Sequence, residues 1–91
     1  MQKYFVYILI CADQTLYTGI ALNLKKRLQE HNDSQLGAKY TRTRRPVSLV
    51  YYEECESRSV ACRREHQIKK LSRAEKMKLV ESKFIEEPAL V

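Results

Sequence analysis

The apolar run from Tyr4 to Cys11 constrains the fold more than any other feature of the sequence. It is continuous and rich in β-formers, as in a strand that is buried on both faces. The chain has 91 residues, which is enough for one domain with a modest core but not for a TIM barrel or a full Rossmann unit. The run is too short for a transmembrane helix, and it lacks the small-residue cleavage site of a signal peptide.

Turn and capping residues divide the rest of the chain into elements. Asp13-Gln14 predicts a turn, Asn23 and Ser57 are suited to cap helices, and Ser72-Arg73-Ala74-Glu75 has the form of a capping box. The predicted strands span residues 4–11, 15–20 and 47–54, and the predicted helices reach from Asn23 to about residue 31, from Ser57 to about residue 71, and onward from Ser72. The order ββαβαα predicts an α+β fold with a small three-stranded antiparallel or mixed sheet flanked by helices.

Residues 1–82 are expected to form a single domain, and residues 83–91 a short C-terminal tail, for which disorder is one expectation. The three cysteines are an odd number without a Cys-x-x-Cys motif, so a disulfide framework is not expected. A reducing cytoplasm is the simplest setting for such a chain.

Positive charge dominates the surface chemistry. The chain has 17 Lys and Arg against 11 Asp and Glu, a formal net charge of +6, which favours polyanionic partners and nucleic acid first. Residues 32–46 are predicted to form a long polar loop. Its basic residues and an aromatic one suit phosphate contact and base stacking, with a solvated basic loop as the alternative. These residues are Lys39, Tyr40, Arg42, Arg44 and Arg45.

The first predicted helix places polar residues on its apolar face. Leu24 and Leu28 define the buried stripe, and at 3.6 residues per turn Arg27 and His31 lie on the same side. Such groups cost desolvation free energy unless they have partners. Either Arg27 reaches the edge of the face and His31 lies at a frayed helix end, or the two belong to a functional site.

Glu65 repeats this pattern on the second predicted helix, on the side of Ala61 and Ile68. Glu is rarely buried unpaired. One interpretation is an ion pair with Arg27 or another cation, and the other is a metal ligand or a general acid or base. One carboxylate is enough for a hard divalent cation that keeps several waters. A two-metal mechanism is disfavoured, because no clear second carboxylate accompanies Glu65.

The hydroxyls of Tyr7 in the first strand and Tyr17 in the second would converge if the two strands pair as a hairpin. Tyrosine is a poor base at its reference pKa of about 10, but a nearby cation would stabilise the phenolate. Packing within the sheet is the alternative role for both tyrosines.

The ordered set of these residues resembles the GIY-YIG nuclease family over about residues 3–80. The set comprises Phe5-Val6-Tyr7, Tyr17-Thr18-Gly19, Arg27, His31 and Glu65. Two further segments, residues 37–42 and 45–47, are similar to the small stand-alone bacterial YhbQ-like branch, also called UPF0213. That branch in turn resembles the nuclease domain of the Slx1 structure-specific endonucleases.

The resemblance implies a three-stranded sheet with flanking helices and phosphodiester hydrolysis with one divalent metal ion, Mg²⁺ or Mn²⁺. It implies that Glu65 binds the metal and that Arg27 contacts the scissile phosphate. Tyr7 and Tyr17 match the motif tyrosines that help to activate the attacking water, and His31 matches a histidine that many members carry on the same helix. Which tyrosine is the base stays open.

Three positions depart from the family pattern. Phe5 stands where the first motif begins with Gly, and Ile20 follows the second motif where some members have Lys. The late Asn of many members has no counterpart, because the last Asn of this chain is Asn32. These departures bear on the rate of the reaction more than on the fold.

The function expected from the resemblance is a metal-dependent DNA endonuclease that recognises structure or strandedness, in DNA repair or recombination. The alternative is a catalytically weak or inactive nucleic-acid-binding module on the same fold. RNA is an open alternative as substrate, a directing protein partner is open, and so is the oligomeric state. No membrane association is expected.

Overall fold

The apolar run forms the central strand of a three-stranded sheet in the computed structural model, which describes residues 3–33 and 36–82. The strands are β1 (Tyr4–Ile10), β2 (Leu16–Ala21) and β3 (Ser48–Cys55), and β1 pairs antiparallel with both neighbours in the order β2-β1-β3. Residues 6–9 of β1 are buried, as expected for a strand covered on both faces.

The helices are α1 (Leu24–Asp33), α2 (Lys39–Arg42), α3 (Arg58–Lys69) and α4 (Arg73–Ser82). The predicted α+β fold is confirmed, with one addition. The segment predicted as a continuous loop contains the short helix α2, which begins at Ala38 without a side-chain cap and therefore gives no capping signal. The predicted tail, residues 83–91, lies outside the described residues.

Side-chain caps begin the longer helices where the sequence predicts them. The Asn23 side chain accepts the Lys26 N–H at 2.9 Å, and the Ser57 hydroxyl accepts the N–H of the residue three positions on at 3.2 Å. At α4, the Ser72 N–H donates to the Glu75 carboxylate at 2.9 Å while the Glu75 N–H donates to the Ser72 hydroxyl at 3.2 Å. This reciprocal pair confirms the capping box.

The turn between β1 and β2 lies at the predicted position. The Asp13 carboxylate accepts bonds from the N–H and the hydroxyl of Thr15, and Gln14 adopts a left-handed φ of 70°. A side chain that bonds the backbone two residues ahead stabilises such a tight reversal.

Successive side chains of β1 point to opposite faces of the sheet and contribute to two separate cores. One face, covered by α3 and α4, is called here the α3 face. It buries Val6, Ile8, Tyr51, Cys55, Ala61 and Ile68. The other, covered by α1, is called the α1 face. It buries Tyr7, Leu9, Cys11, Leu24, Val47 and Leu49. The apolar stripes predicted for the two helices therefore face the sheet.

Hydrogen bonds connect α1 with the far end of the basic segment, residues 36–46, and with the residue just before β3. The Asn32 amide donates to the Val47 carbonyl at 3.0 Å and accepts the Val47 N–H at 2.7 Å, which joins α1 to the start of β3. The Arg45 guanidinium donates to the carbonyl oxygens of Glu30 and His31 at the end of α1. Cationic donors stabilise the carbonyl end of a helix.

The three cysteines, Cys11, Cys55 and Cys62, are free thiols, and the first two are buried. Within residues 3–33 and 36–82, no helix has the length and apolar character needed to cross a membrane.

Candidate active site

A buried hydrogen bond between Tyr7 and His31 lies at the centre of the α1 face. Tyr7 projects from β1 and is 2% exposed, and His31 in the last turn of α1 is fully buried. The Tyr7 hydroxyl oxygen lies 2.9 Å from His31 Nε2. The alternative of a frayed, solvated His31 is therefore wrong, because α1 continues past it and its ring is bonded inside the protein.

Gly19 provides the space for the Tyr7 side chain. The two residues are cross-strand partners, and a Cβ on Gly19 would lie 2.6 Å from the Tyr7 hydroxyl oxygen. That separation is shorter than any van der Waals contact, so a larger residue would displace the tyrosine ring. The glycine of the second motif thus lets Tyr7 lie flat across β2 and reach His31.

Tyr17 joins the site through its ring. Its centroid lies 6.5 Å from that of Tyr7 and 5.2 Å from that of His31, with the imidazole in an edge-to-face arrangement. A third ring, Tyr40 of α2, stacks on Tyr17 at 5.8 Å. The rings of Tyr7 and Tyr17 therefore lie side by side on the α1 face, and convergence of their hydroxyls stays a prediction.

Arg27 lies beside Tyr7 and is held by two bonds from one nitrogen. Its Nη1 donates to the Glu30 carboxylate at 2.9 Å and to the Leu36 carbonyl at 2.8 Å, and its positive charge acts on the neighbouring Tyr7 hydroxyl by lowering the pKa of that group. The side chain is 28% exposed. It lines an open cleft of about 250 Å³ between the end of β2 and the start of α1, together with Asn23, Lys26 and Glu30. An anion in this cleft would meet Arg27 and Lys26.

Burial sets the protonation of the central pair. It raises the pKa of Tyr7 to about 12, although the Arg27 guanidinium opposes the shift. It lowers the pKa of His31 to about 4, with help from the charges of Arg27 and Arg45. Both groups are therefore neutral near pH 7. The Arg27 guanidinium lowers the pKa of Tyr7, as expected of a nearby cation, but burial raises that pKa by more, so the Tyr7 hydroxyl stays protonated near pH 7 in the free protein.

Glu65 has an ion pair of its own on α3. It lies on α3, is partly buried, and its carboxylate is 3.3 Å from the Lys69 ammonium. Its charge contributes to the raised pKa of Tyr7, but the predicted ion pair with Arg27 is not formed, since Arg27 pairs with Glu30. The pairing with another cation, the second form of that interpretation, is the one observed.

The donor chemistry at Glu65 fits one kind of metal. Across the described parts of the chain, no three His, Cys, Asp or Glu side chains are grouped to hold an ion. A closed cage of protein ligands is thus excluded there. A single carboxylate does fit Mg²⁺ or Mn²⁺, which retain several waters and accept oxygens of a substrate phosphate.

The five predicted nucleic-acid-binding residues have different surroundings in the structure. Lys39 and Arg42 are exposed. Arg44 lies 3.9 Å above the Tyr40 ring and forms a 3.0 Å ion pair with Asp13, so Tyr17, Tyr40 and Arg44 form one continuous stack. Arg45 is partly buried and donates to the carbonyl oxygens at the end of α1.

Two residues that contact the cluster were not predicted. Glu30 follows Arg27 by three positions on α1, a spacing that often gives an ion pair and that could have revealed it. Thr41 is fully buried in α2 and lies 2.8 Å from His31 Nδ1. Nothing in the local sequence distinguishes it from the polar residues around it.

The fold and this arrangement agree with one known class of protein. Residues 3–79 match the GIY-YIG catalytic domain, and the chain belongs to this family of nuclease domains. A UPF0213 protein of Syntrophus aciditrophicus is 59% identical over 80 residues, which are 88% of this chain and 92% of that protein. A UPF0213 protein of Staphylococcus haemolyticus is 51% identical over 91% of this chain and all of that protein.

Two solution NMR structures share the fold. The UPF0213 protein BH0048 from Bacillus halodurans is 40% identical, with a TM-score of 0.59 over 92% of this chain and 88% of that chain. The protein EF2693 from E. faecalis is 38% identical, with a TM-score of 0.62 over 90% of this chain and 86% of that chain. The resemblance to the GIY-YIG family and its UPF0213 branch is confirmed, and the likeness to the Slx1 nuclease domain stays a prediction.

Proposed function

We propose that this protein is an endonuclease that hydrolyses phosphodiester bonds in DNA with one divalent metal ion, Mg²⁺ or Mn²⁺. The hydrogen bond between Tyr7 and the neutral His31, beside the Arg27 cation, is the observation that carries the proposal. A buried acid–base pair next to a fixed positive charge suits proton removal from water near a phosphate.

Arg27 binds and orients the phosphate. Glu30 and the Leu36 carbonyl hold its Nη1, and the remaining N–H groups of the guanidinium fork can face an anion in the cleft. Hydrolysis adds negative charge to the phosphate oxygens in the transition state. A preorganised cation in a partly buried site stabilises that charge more than the ground state.

Tyr7 and His31 move the proton. The Tyr7 hydroxyl oxygen takes a proton from the attacking water while its own proton passes to His31 Nε2, 2.9 Å away. This leaves the imidazolium and a hydroxide whose oxygen bonds to phosphorus, and the bond to the leaving oxygen breaks. The route needs no stable phenolate, in keeping with the raised pKa of Tyr7, and the imidazolium is a transient species, because burial lowers the pKa of His31 to about 4.

Glu65 would hold the metal ion, which as a Lewis acid supplies stabilisation of charge on the phosphate and the leaving oxygen. The partly buried carboxylate on α3 and its pairing with the exposed Lys69 side chain are compatible with this role. Lys69 is an exposed lysine, so its ammonium can move to solvent when a cation binds.

We further propose that the enzyme selects DNA by structure or strandedness and acts in repair or recombination. The resemblance to the GIY-YIG nucleases supports this proposal. The exposed cations Lys39 and Arg42 support it as well, because they lie on α2 together with Tyr40, which stacks on Tyr17. Contacts from cations to phosphates position a nucleic acid without reading its bases.

Cleavage assays on wild type and Glu65→Gln test this function. Labelled single-stranded, duplex, flap and branched DNA, and RNA, are incubated with Mg²⁺, Mn²⁺ or EDTA. We expect wild type to cleave DNA only with metal, and Glu65→Gln to lower the rate by at least about 100-fold while retaining most of the binding. Glu56→Gln, an exposed carboxylate just before α3, is the matched control and should cleave as wild type does.

Each other outcome has a defined meaning. Cleavage that persists in EDTA or in Glu65→Gln would contradict the metal role of Glu65. Cleavage of RNA alone would replace the substrate. Intact DNA binding without cleavage by wild type under any condition would favour the inactive binding module.

A further inference from the structure

The fully buried Thr41 forms the outer end of the Tyr7–His31 hydrogen-bond chain. Its hydroxyl oxygen lies 2.8 Å from His31 Nδ1 and 2.9 Å from the Ala38 carbonyl oxygen. A hydroxyl is costly in a site without solvent unless it is bonded, and here it has a partner on each side. The two partners together determine where the protons of the chain lie.

The Ala38 carbonyl oxygen accepts from the Thr41 hydroxyl at 2.9 Å, a shorter contact than those from the Thr41 and Arg42 N–H groups at 3.1 and 3.2 Å, and a carbonyl cannot donate in return. With the hydroxyl proton in this bond, the Thr41 oxygen presents a lone pair to His31. Nδ1 of His31 must then carry the imidazole proton and donate it to Thr41. Nε2 is left without a proton, so it accepts the Tyr7 hydroxyl proton at 2.9 Å.

A competing contact favours the opposite tautomer. The Ala38 N–H lies 3.4 Å from Nδ1 and could donate to that nitrogen if it carried no proton. This separation is at the long limit for a hydrogen bond, whereas the contact between Nδ1 and Thr41 is 2.8 Å. The shorter contact decides the assignment.

We propose that Thr41 is a positioning residue that fixes the Nδ1–H tautomer of His31 and so keeps Nε2 free to accept the Tyr7 proton. The tautomer is a property of the folded chain, whereas its catalytic consequence rests on the proposed function. Without Thr41, the imidazole can place its proton on Nε2, and the Tyr7 hydroxyl then loses its acceptor.

Nuclear magnetic resonance can read the tautomer directly. In ¹⁵N-labelled protein, correlation of the carbon-bound ring protons with the two ring nitrogens distinguishes a protonated from a bare nitrogen. We expect His31 of wild type to carry its proton on Nδ1. Thr41→Val keeps the side-chain shape but removes both bonds, and it should shift His31 toward the Nε2–H form. Thr41→Ser restores the hydroxyl and should restore the wild-type pattern.

Two internal controls accompany the spectra. His66 is exposed on α3 and should give the same signals in every variant. Thr43→Val makes the same chemical change at an exposed threonine of the same segment and should leave His31 unchanged. An Nε2–H tautomer in wild type would overturn the proposal, as would an unchanged His31 in folded Thr41→Val. If Thr41→Val does not fold, the wild-type and Thr41→Ser spectra still decide.

Kinetics then separate this proposal from the proposed function. We expect Thr41→Val to lower kcat by about 10- to 100-fold with KM unchanged, the usual range for loss of a group that orients a functional histidine. Thr41→Ser should recover most of the rate. An altered tautomer without a change in kcat would overturn the positioning role. A wild type that shows the Nδ1–H tautomer but cleaves nothing would instead contradict the proposed function alone.

Discussion

The two faces of the sheet each bury a tyrosine, and the two hydroxyls have opposite kinds of partner. On the α1 face, Tyr7 bonds the neutral His31. On the α3 face, Tyr51 donates to the Glu53 carboxylate, which Arg64 holds through Nε at 2.9 Å and Nη2 at 2.8 Å. Burial, the largest cause on both faces, raises the pKa of each tyrosine to about 12.

The two tyrosines differ in whether another charge already neutralises the hydrogen-bond partner of the hydroxyl. The Glu53 carboxylate is already matched by the Arg64 guanidinium, so the Tyr51 chain ends in a closed ion pair that stabilises the fold. His31 is uncharged and can accept a proton, and Arg27 beside it borders an open cleft. A buried tyrosine with a raised pKa therefore does not mark a reactive site by itself. The chemistry of its hydrogen-bond acceptor decides.

Removing each hydroxyl would break this comparison most strongly. Tyr7→Phe should lower the cleavage rate by about 100-fold or more, because the proton path to His31 is lost. Tyr51→Phe should leave the rate unchanged. Tyr7→Phe should lower the free energy of unfolding by about 1 kcal/mol and Tyr51→Phe by about 2 kcal/mol, because the Tyr51 hydrogen bond is to a charged carboxylate. Initial rates and urea unfolding provide the two measurements, and equal losses of rate would show that the faces do not differ in this way.

Acid should weaken the α1 face through His31. Its pKa is lowered from 6.5 to about 4 in the folded protein, so between these values the unfolded chain binds the extra proton more readily. The stability due to neutral His31 is complete above about pH 6.5 and is lost as the pH falls to about 4, by about 3 kcal/mol in total.

Urea unfolding of wild type and His31→Gln at several pH values checks this effect. The wild-type free energy of unfolding should fall more steeply than that of His31→Gln across the interval. His66→Gln, a change at the exposed histidine of α3, should run parallel to wild type. Parallel curves for wild type and His31→Gln would show that the imidazole is not held neutral by burial.

The smallest expected effect, the loss of a helix cap, is the same for both faces of the sheet. Asn23→Ala and Ser57→Ala each remove the side-chain cap of the helix that covers one face. Each should lower the free energy of unfolding by about 1 kcal/mol, the usual contribution of such a cap. Chemical denaturation of the two variants measures it. Strongly unequal losses would locate a difference between the faces in the helix ends, and not in the buried polar groups.

Local sequence signals were sufficient to predict most of the framework. The apolar run predicted β1, and capping residues predicted the starts of the three longer helices. The helical spacing of Arg27 and His31 places both on the apolar face beside Leu24 and indicated a candidate site there. The structure brings both side chains to Tyr7. These inferences depend on neighbours within about one or two helical turns, where the backbone period fixes which side chains share a face.

The rest of the site depends on contacts that no local period encodes. Thr41 meets His31 from ten positions away, across a segment with neither apolar periodicity nor a helix cap. Arg45 carries the same charge as Arg42, but its guanidinium donates hydrogen bonds to carbonyl oxygens of α1. The net rise in the pKa of Tyr7 could not be predicted from the sequence, because the degree of burial, which outweighs the neighbouring cation, follows from packing in three dimensions.

The Asn32 amide, bonded to both backbone groups of Val47, has a mechanical consequence. It ties the far end of the basic segment to α1, as Arg45 does a little earlier in the chain. A nucleic-acid strand that pulled on Lys39 or Arg42 would therefore act against these hydrogen bonds at the end of α1. Tension on the segment is transmitted to the helical turn that holds His31.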